Sequence, residues 1–157
     1  QILVYLTAEL GEVENQSLDI LAGAIELIHC YSLIHDDLPS MDDDDLRRGY
    51  PTTHKKYDEA TAILAGDALQ PLAFELISNI STSDNNKLSM IRSLARSCGY
   101  SGMVGGQIKD IHSHNIEDVN SLDLMHSEKT GSLIKSSIET SGILSGLELA
   151  DIKTLTN

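Results

Sequence analysis

The stretch LIHCYSLIHDDLPSMDDDDLRRG, residues 27–49, decides how this chain folds. Its first eight residues are mostly apolar, and six aspartates then crowd into the ten positions from Asp36 to Asp45. Pro39 disfavours helical geometry at the residue before it, so we expect a buried helix to end at the first aspartates. Like charges at the end of a buried helix repel one another, and a divalent cation removes that repulsion.

The aspartate cluster has the composition of a magnesium site. Carboxylate oxygens without cysteine or a tight histidine set select hard cations, Mg²⁺ before Zn²⁺. A calcium EF-hand is excluded, because the aspartates do not alternate with other residues and no glutamate closes the loop. Arg47 and Arg48 follow directly and offer planar donor forks for phosphate oxygens. The pattern indicates a diphosphate clamp, and its alternative is a purely structural acidic turn.

His29 precedes Asp36 by seven residues, which is close to two helical turns, so both occupy one face of the helix. A second phosphate contact and an ordinary core histidine are both open for His29.

The remaining sequence predicts antiparallel helices around one core, an all-α fold in which strands are hard to place. Apolar residues recur at three- and four-residue steps, which is typical of helices with one buried face. We expect three helices, over residues 17–36, 58–80 and 87–110. Ser17 is the expected N-cap of the first helix, and Pro71 should kink the second. A fourth begins at Ser121 and has weak points at Gly131 and Gly142.

Composition excludes several classes of protein. The formal net charge of −13 argues against a nucleic-acid partner, which needs a basic face. No apolar run approaches the ~18 residues of a spanning helix, so we expect no stable membrane insertion. No signal peptide is recognisable, and Cys30 and Cys98 favour free thiols over a disulfide. We therefore expect a cytoplasmic protein.

Four glycines, Gly99, Gly102, Gly105 and Gly106, are spaced three or four residues apart. They do not form a phosphate loop, since no strand pattern precedes them and no Gly-Lys-Ser/Thr follows. We expect them to allow close packing against a neighbouring helix.

Five motifs together resemble the trans-isoprenyl diphosphate synthase family, particularly bacterial-type farnesyl diphosphate synthases. The aspartate stretch is similar to that family's first aspartate-rich motif, DDxxxxD followed by two arginines. Four further motifs follow in the family's order: PTTH (51–54), AILAGDAL (62–69), GMVGGQIKD (102–110) and HSEKTG (126–131). The resemblance implies an antiparallel helical bundle of the isoprenoid synthase type. It also implies Mg²⁺-dependent condensation of isopentenyl diphosphate with an allylic diphosphate.

The resemblance assigns roles to the aspartate stretch. Asp36 and Asp42, with Asp37 beside them, match the ligands of two or three Mg²⁺ ions. Arg47 matches a contact to the allylic diphosphate, and Arg48 a contact to isopentenyl diphosphate.

The resemblance also assigns roles outside that stretch. His29 matches another contact to isopentenyl diphosphate. Lys129 and Thr130 match the pair near the allylic diphosphate and the developing cation. Gln107 and Asp110 match polar residues that line the cavity.

Tyr31 and Ser32 are the chain-length candidates. Tyr31 precedes Asp36 by five residues, and in the family a bulky aromatic there resembles the floor of a pocket for a C15 product. We therefore expect farnesyl diphosphate, with geranylgeranyl diphosphate as the alternative product and an ordinary core tyrosine as the alternative role.

Two family segments have no match here. A Gly-Lys-Arg segment is expected before Gln1 and a second aspartate-rich motif after Asn157. We therefore expect residues 1–157 to be a single helical domain that lacks N-terminal and C-terminal helices. A homodimer is implied by the resemblance.

Two other functions remain as rivals. A metal-dependent phosphohydrolase would use His35 and Asp36 as a pair and would need further histidines from a set comprising His54, His112, His114 and His126. A non-catalytic helical subunit that binds metal or lipid is the other rival.

Overall fold

The computed structural model describes residues 1–112 and 118–157, and within them the chain is all-α apart from a very small hairpin, as predicted. The helices are α1 (Ile2–Ala8), α2 (Asn15–Asp36), α3 (Thr53–Lys56), α4 (Glu59–Ser78), α5 (Asp84–Cys98), α6 (Met103–Ile111), α7 (Val119–His126), α8 (Ser132–Leu144) and α9 (Leu149–Leu155). A π-helical turn, Ser127–Gly131, joins α7 to α8. Strands β1 (Leu46–Arg47) and β2 (Tyr50–Pro51) pair antiparallel, with Leu46 opposite Pro51.

Helix α2 is the central helix. It packs most extensively against α4 and also contacts α1 and α8. Leu21, Ile25 and Ile28 recur at helical spacing on its buried face, where they join Ile77 of α4 and Leu94 of α5 in one apolar cluster. Burial of each such side chain contributes about 1.5–3 kcal/mol. This core fixes the helix that carries the aspartates.

The two ends of α2 compare differently with the prediction. The helix ends at Asp36, as Pro39 predicts, and the Leu38 amide donates to the His35 carbonyl at 3.1 Å in the turn that follows. The predicted N-cap at Ser17 is wrong. The helix begins at Asn15, and Ser17 lies buried within its first turn, so burial and not capping accounts for that serine.

Helix α4 lies close to its predicted bounds. Asp58 caps it by accepting a hydrogen bond from the Thr61 amide at 2.7 Å, and Pro71 lies inside the helix. The short helix α3 and the hairpin before it have no periodic pattern in the sequence and were not expected.

The predicted helix 87–110 is wrong, since two helices occupy that part of the chain. Ser83 caps α5 by accepting from the Asn86 amide at 3.2 Å, so the helix starts earlier. It stops at Cys98, and the Gly102 amide donates to the Gly99 carbonyl at 3.0 Å in a turn. A Cβ on Gly102 would lie 2.1 Å from the Ser97 carbonyl oxygen. Glycine therefore permits this sharp break between α5 and α6.

The predicted fourth helix runs through α7, the π turn and α8. It starts slightly before Ser121, whose amide donates to the capping carboxylate of Asp118 at 2.9 Å. Gly131 ends the π turn, which is the irregularity predicted there. Gly142 does not interrupt α8. A Cβ there would lie 2.7 Å from Ile152, so this glycine lets α9 pack closely.

Two helices, α2 and α4, are long and apolar enough to cross a membrane by length and composition. The expectation that no segment reaches that length was therefore wrong. In the most apolar 18-residue segment of each helix, 44% of α2 and 22% of α4 is buried inside the protein. A core helix can have the same length and composition, and α2 lies in the core.

Cys30 and Cys98 are both free, as predicted. Cys98 is buried, and that burial raises the pKa of its thiol. Cys98 packs in the apolar core, whereas Cys30 is half-buried and its thiol donates to the Glu26 carboxylate at 3.9 Å.

Candidate active site

The loop after α2 folds back and brings Asp36 and Asp42 together. The Asp42 amide donates to the Asp36 carbonyl at 2.8 Å. The amides of Met41 and Asp43 both donate to the Leu38 carbonyl, at 2.9 and 3.1 Å. These hydrogen bonds place the first and third predicted metal ligands next to each other although six positions separate them in the sequence.

Asp36 lies at the edge of a cavity and is half-buried. Burial raises the pKa of its carboxyl to about 6, against the opposing charge of Lys129 and with reinforcement from Asp42. A carboxylate held in this environment is stabilised by a nearby dication. The carboxylates of Asp36 and Asp42 could hold a hard dication, and their oxygen chemistry fits Mg²⁺.

Asp37 has a different environment from Asp36. It is 3% exposed, and its Oδ1 accepts from Arg47 Nε at 2.8 Å and from Nη2 at 2.5 Å. The hydrogen bond to Asp37 raises the pKa of Arg47, whose Nη2 also lies 3.6 Å from Asp44. Asp37 therefore orients Arg47 and does not line the cavity.

The cavity has a volume of about 460 Å³ and lies between α2, α6, the π turn and α8. Its remaining walls are mainly aliphatic, including Leu33, Ile108, Leu133 and Ile134. Seven of the predicted site residues line it: His29, Tyr31, Ser32, Asp36, Gln107, Lys129 and Thr130. Five do not line it: Asp37, Asp42, Arg47, Arg48 and Asp110.

Lys129 is positioned by the π turn. Gly106 of α6 lets that turn approach closely, since a Cβ there would lie 2.2 Å from the Lys129 backbone nitrogen. Lys129 Nζ donates to Asp110 at 2.5 Å. Burial lowers the pKa of Lys129, but the hydrogen bond to Asp110 and the charge of Asp36 outweigh it and raise the pKa overall. The ammonium therefore stays protonated at the cavity.

Gln107 faces the cavity with an unsatisfied amide. Its Oε1 and Nε2 are buried and have no hydrogen-bond partner among residues 1–112 and 118–157. Leaving such a group unpaired costs about 1–3 kcal/mol, so the arrangement favours a polar ligand group at this point.

Tyr31 and Ser32 lie farther along α2 from the aspartates. Tyr31 is 6% exposed, its hydroxyl donates to the Cys98 carbonyl at 3.5 Å, and burial raises the pKa of that hydroxyl to about 12. Ser32 donates to the His29 carbonyl at 2.9 Å, which ties it to its own helix. Both residues line the cavity.

His35 and Gly66 form a contact that sequence reasoning missed. A ring nitrogen of His35 lies 3.0 Å from the Ile63 carbonyl, and a Cβ on Gly66 would lie 2.1 Å from the ring. The ring also meets Tyr31 edge to face, with centroids 5.8 Å apart. A glycine in the middle of a strongly apolar helix was the available signal. His35 thus anchors the end of α2 on α4, beside Asp36.

A second missed contact is the ion pair between Lys109 and Glu128, at 2.5 Å. It lies beside the pair of Lys129 with Asp110, so two salt bridges join α6 to the π turn.

The arrangement needed by a phosphohydrolase is not found in the described part of the chain. His35 contacts α4, and His54 lies near Asp43 and Asp45, outside the cavity. The predicted candidate His114 lies outside the described residues.

Comparison with known proteins gives a consistent family. The polyprenyl synthetase family model matches residues 1–157. Farnesyl diphosphate synthase of Escherichia coli (strain K12) is 48% identical over 148 residues, which are 92% of this chain and 50% of that protein. Farnesyl diphosphate synthase of Haemophilus influenzae is 52% identical over 147 residues, 91% of this chain and 49% of that protein.

A solved structure shows the same fold. Geranyltransferase from Helicobacter pylori, complexed with magnesium and isoprenyl diphosphate, has a TM-score of 0.89 at 35% sequence identity. The match covers 98% of this chain and 54% of that one. The chain thus spans about half the length of the relatives it matches.

Proposed function

The chain belongs to the polyprenyl synthetase family, and on that premise we propose that the whole protein condenses isopentenyl diphosphate with an allylic diphosphate to make farnesyl diphosphate. The observation that carries this proposal is the cavity itself. Asp36 and Lys129 line it together with Tyr31 and several aliphatic side chains. The names of the bacterial relatives and the isoprenyl diphosphate bound in the Helicobacter pylori structure support it.

Asp36 and Asp42 would hold Mg²⁺ in this reaction. The bound ions, two or three in our proposal, supply positive charge for the diphosphate of the allylic substrate. Asp37 as a further ligand stays a prediction, and its two hydrogen bonds to Arg47 support a role in orienting that arginine.

The cationic side chains stabilise the charge of the departing diphosphate. Lys129 is protonated and faces the cavity beside Thr130, where both can contact the allylic diphosphate. In our proposal Arg47, which Asp37 holds by two hydrogen bonds, contacts the same substrate. Preorganised donors of this kind lower the barrier because they need no rearrangement as charge develops.

Contacts to isopentenyl diphosphate are proposed for His29 and Arg48. Gln107 offers its unpaired amide to a substrate in the cavity, and Asp110 acts by holding Lys129.

The aliphatic walls serve the second half of the reaction. The bond between the allylic carbon and the diphosphate oxygen breaks, and the double bond of isopentenyl diphosphate forms the new carbon–carbon bond. A proton then leaves to the released diphosphate. Side chains such as Ile108, Leu133 and Ile134 exclude water that would otherwise trap the cation.

We propose that Tyr31, with Ser32 beside it, limits the product to C15. In the whole protein, Tyr31→Ala should lengthen the main product from C15 to C20, because removing the ring opens the wall. Tyr31→Phe is the matched control, since it keeps the ring and loses only the hydroxyl, and it should still make C15. Chromatography of the prenyl alcohols measures both, and a C15 product from Tyr31→Ala would contradict the assignment.

The function is tested by incubating the whole protein with Mg²⁺, isopentenyl diphosphate and geranyl diphosphate. A C15 product supports the proposal, and a C20 main product would make it a geranylgeranyl diphosphate synthase. Phosphate release without condensation would indicate a hydrolase, and no turnover a non-catalytic subunit. A homodimer and a cytoplasmic location stay predictions.

A further inference from the structure

Three side chains outside the cavity lie close enough to share a metal ion. One carboxylate oxygen each from Asp43 and Asp45 and one ring nitrogen of His54 all lie within 4.8 Å of one another. Asp43 and Asp45 are exposed, whereas His54 is only 7% exposed. None of them lines the cavity, and the proposed condensation uses none of them.

The hydrogen bonds of Thr52 indicate the tautomer of His54. The Thr52 hydroxyl donates to the Asp44 carbonyl at 2.8 Å, and its oxygen lies 3.2 Å from His54 Nδ1. Because a hydroxyl has one proton and a carbonyl can only accept, we assign the hydrogen of the imidazole to Nδ1. In this tautomer the lone pair lies on Nε2.

With its lone pair, Nε2 of His54 can accept a hydrogen bond or bind a metal ion. It is buried and has no hydrogen-bond partner within residues 1–112 and 118–157. An imidazole whose Nδ1–H is held by an oxygen and whose Nε2 is free is the usual arrangement of a metal-binding histidine. A ring nitrogen of this histidine and one carboxylate oxygen each from Asp43 and Asp45 make three protein ligands.

We propose that Asp43, Asp45 and His54 form a site for a divalent transition-metal ion such as Zn²⁺ or Mn²⁺, separate from the magnesium pair of Asp36 and Asp42. The imidazole decides the class of ion, since nitrogen ligands suit transition metals while Mg²⁺ selects oxygen. This inference does not rest on the proposed condensation.

The geometry requires a small adjustment. With bonds near 2.1 Å, ligand atoms around a tetrahedral ion lie about 3.4 Å apart. The ligand atoms now lie up to 4.8 Å apart. The carboxylates of Asp43 and Asp45 are exposed, so rotation of their side chains can bring these atoms to the shorter separation. His54, the buried ligand, can stay in place.

The Lys55 ammonium would compete with a metal ion for the Asp45 carboxylate. Its Nζ lies 2.7 Å from Asp45 Oδ1, and both side chains are largely exposed. An exposed ion pair of this kind contributes little, so a dication can displace the ammonium. Removing the ammonium by Lys55→Met should tighten metal binding by about threefold to tenfold.

A bound ion would join the loop to α3. Asp43 and Asp45 precede the hairpin that contains Arg47 and Arg48, and His54 follows it. Occupancy of the site would therefore restrain the segment that presents both arginines.

The test uses Co²⁺ as a spectroscopic probe on the whole protein, stripped with a chelator and then saturated with Mg²⁺. We expect one Co²⁺ to bind with a visible absorption that excess Mg²⁺ does not remove. His54→Gln and Asp45→Asn should each weaken this binding by at least about tenfold. His126→Gln, at an exposed histidine outside the cluster, is the matched control and should bind as the unmodified protein does.

Two results would overturn the proposal. One is that Mg²⁺ removes all bound Co²⁺ from the unmodified protein. The other is that Asp45→Asn binds Co²⁺ with unchanged affinity and spectrum. Asp45 is exposed, so its replacement leaves the fold intact even if His54→Gln does not.

Discussion

The cavity wall and the aspartate loop are held by different forces. The cavity wall is positioned by two close contacts, that of His35 over Gly66 and that of the π turn over Gly106. The aspartate loop comprises residues 42–52. In the wall, backbone and rings touch where an added Cβ would overlap with them. The loop is mostly exposed and is held by its short hairpin, by ion pairs and by the Thr52 hydroxyl.

This difference separates two tasks. Close packing is insensitive to salt and positions Asp36 and Lys129 rigidly, as a charge-stabilising site requires. Ion pairs at the surface are weak and adjustable, which suits arginines that bind and release diphosphates. Three substitutions measure the contrast, from the largest expected effect to the smallest.

Gly106→Ala tests the wall. The new Cβ would lie 2.2 Å from the backbone nitrogen of Lys129, so the π turn must move. We expect the free energy of unfolding of the whole protein to fall by about 2–3 kcal/mol in urea titration. Gly23→Ala is the matched control, because nothing lies within 4 Å of its added Cβ, and it should gain about 0.5–1 kcal/mol. Equal effects of the two would contradict close packing at Gly106.

Arg47→Met and Lys55→Met compare the ion pair with the buried Asp37 and the exposed ion pair with Asp45. Arg47→Met leaves the buried Asp37 carboxylate without its partner, and since Arg47 is itself partly exposed we expect a loss of about 2 kcal/mol. Lys55→Met removes the exposed pair with Asp45 and should cause no measurable loss. Urea titrations in low and high salt measure both. Equal losses would mean that burial of Asp37 does not control the strength of the first pair.

Asp36→Asn tests the carboxylate at the boundary of the two regions. The folded chain binds its proton more tightly than the unfolded chain, because burial raises the pKa to about 6. Stability without metal therefore falls as pH rises from about 4 to about 6, and the penalty is complete above that window. Solvent screening reduces it, so we expect the amide to gain about 1 kcal/mol at neutral pH and nothing at about pH 3.

Thermal unfolding in a chelator measures this gain, and added Mg²⁺ supplies a second readout. Mg²⁺ should raise the Tm of Asp36→Asn less than that of the unmodified protein, since a metal ligand is lost. A variant that is less stable than the unmodified protein at neutral pH without metal would contradict the buried-charge explanation.

Helix ends with a local signal were predictable. Pro39 predicted the end of α2, and the cap at Asp58 follows from a rule that involves residues three apart. The break at Gly99–Gly102 was missed because glycines at helical spacing are compatible with packing as well as with a turn. Gly106 did prove to be a packing glycine, so one pattern contained both cases.

In the candidate site, seven of the twelve predicted residues line the cavity, and the sequence did not indicate which seven. Asp36 and Asp37 are neighbours in the sequence, yet one faces the cavity and the other is buried against Arg47. Asp43 and Asp45 had no predicted role until His54 was found beside them.

The sequence alone determined the all-α class, the end of α2 at the aspartates and the family, because periodicity, capping and proline act over a few residues. Only the tertiary structure decided the environment of each charge. Ion pairs join Asp37 to Arg47 and Asp110 to Lys129, and His35 lies over Gly66. Burial and partners over such separations depend on how whole helices pack, and no local pattern encodes them.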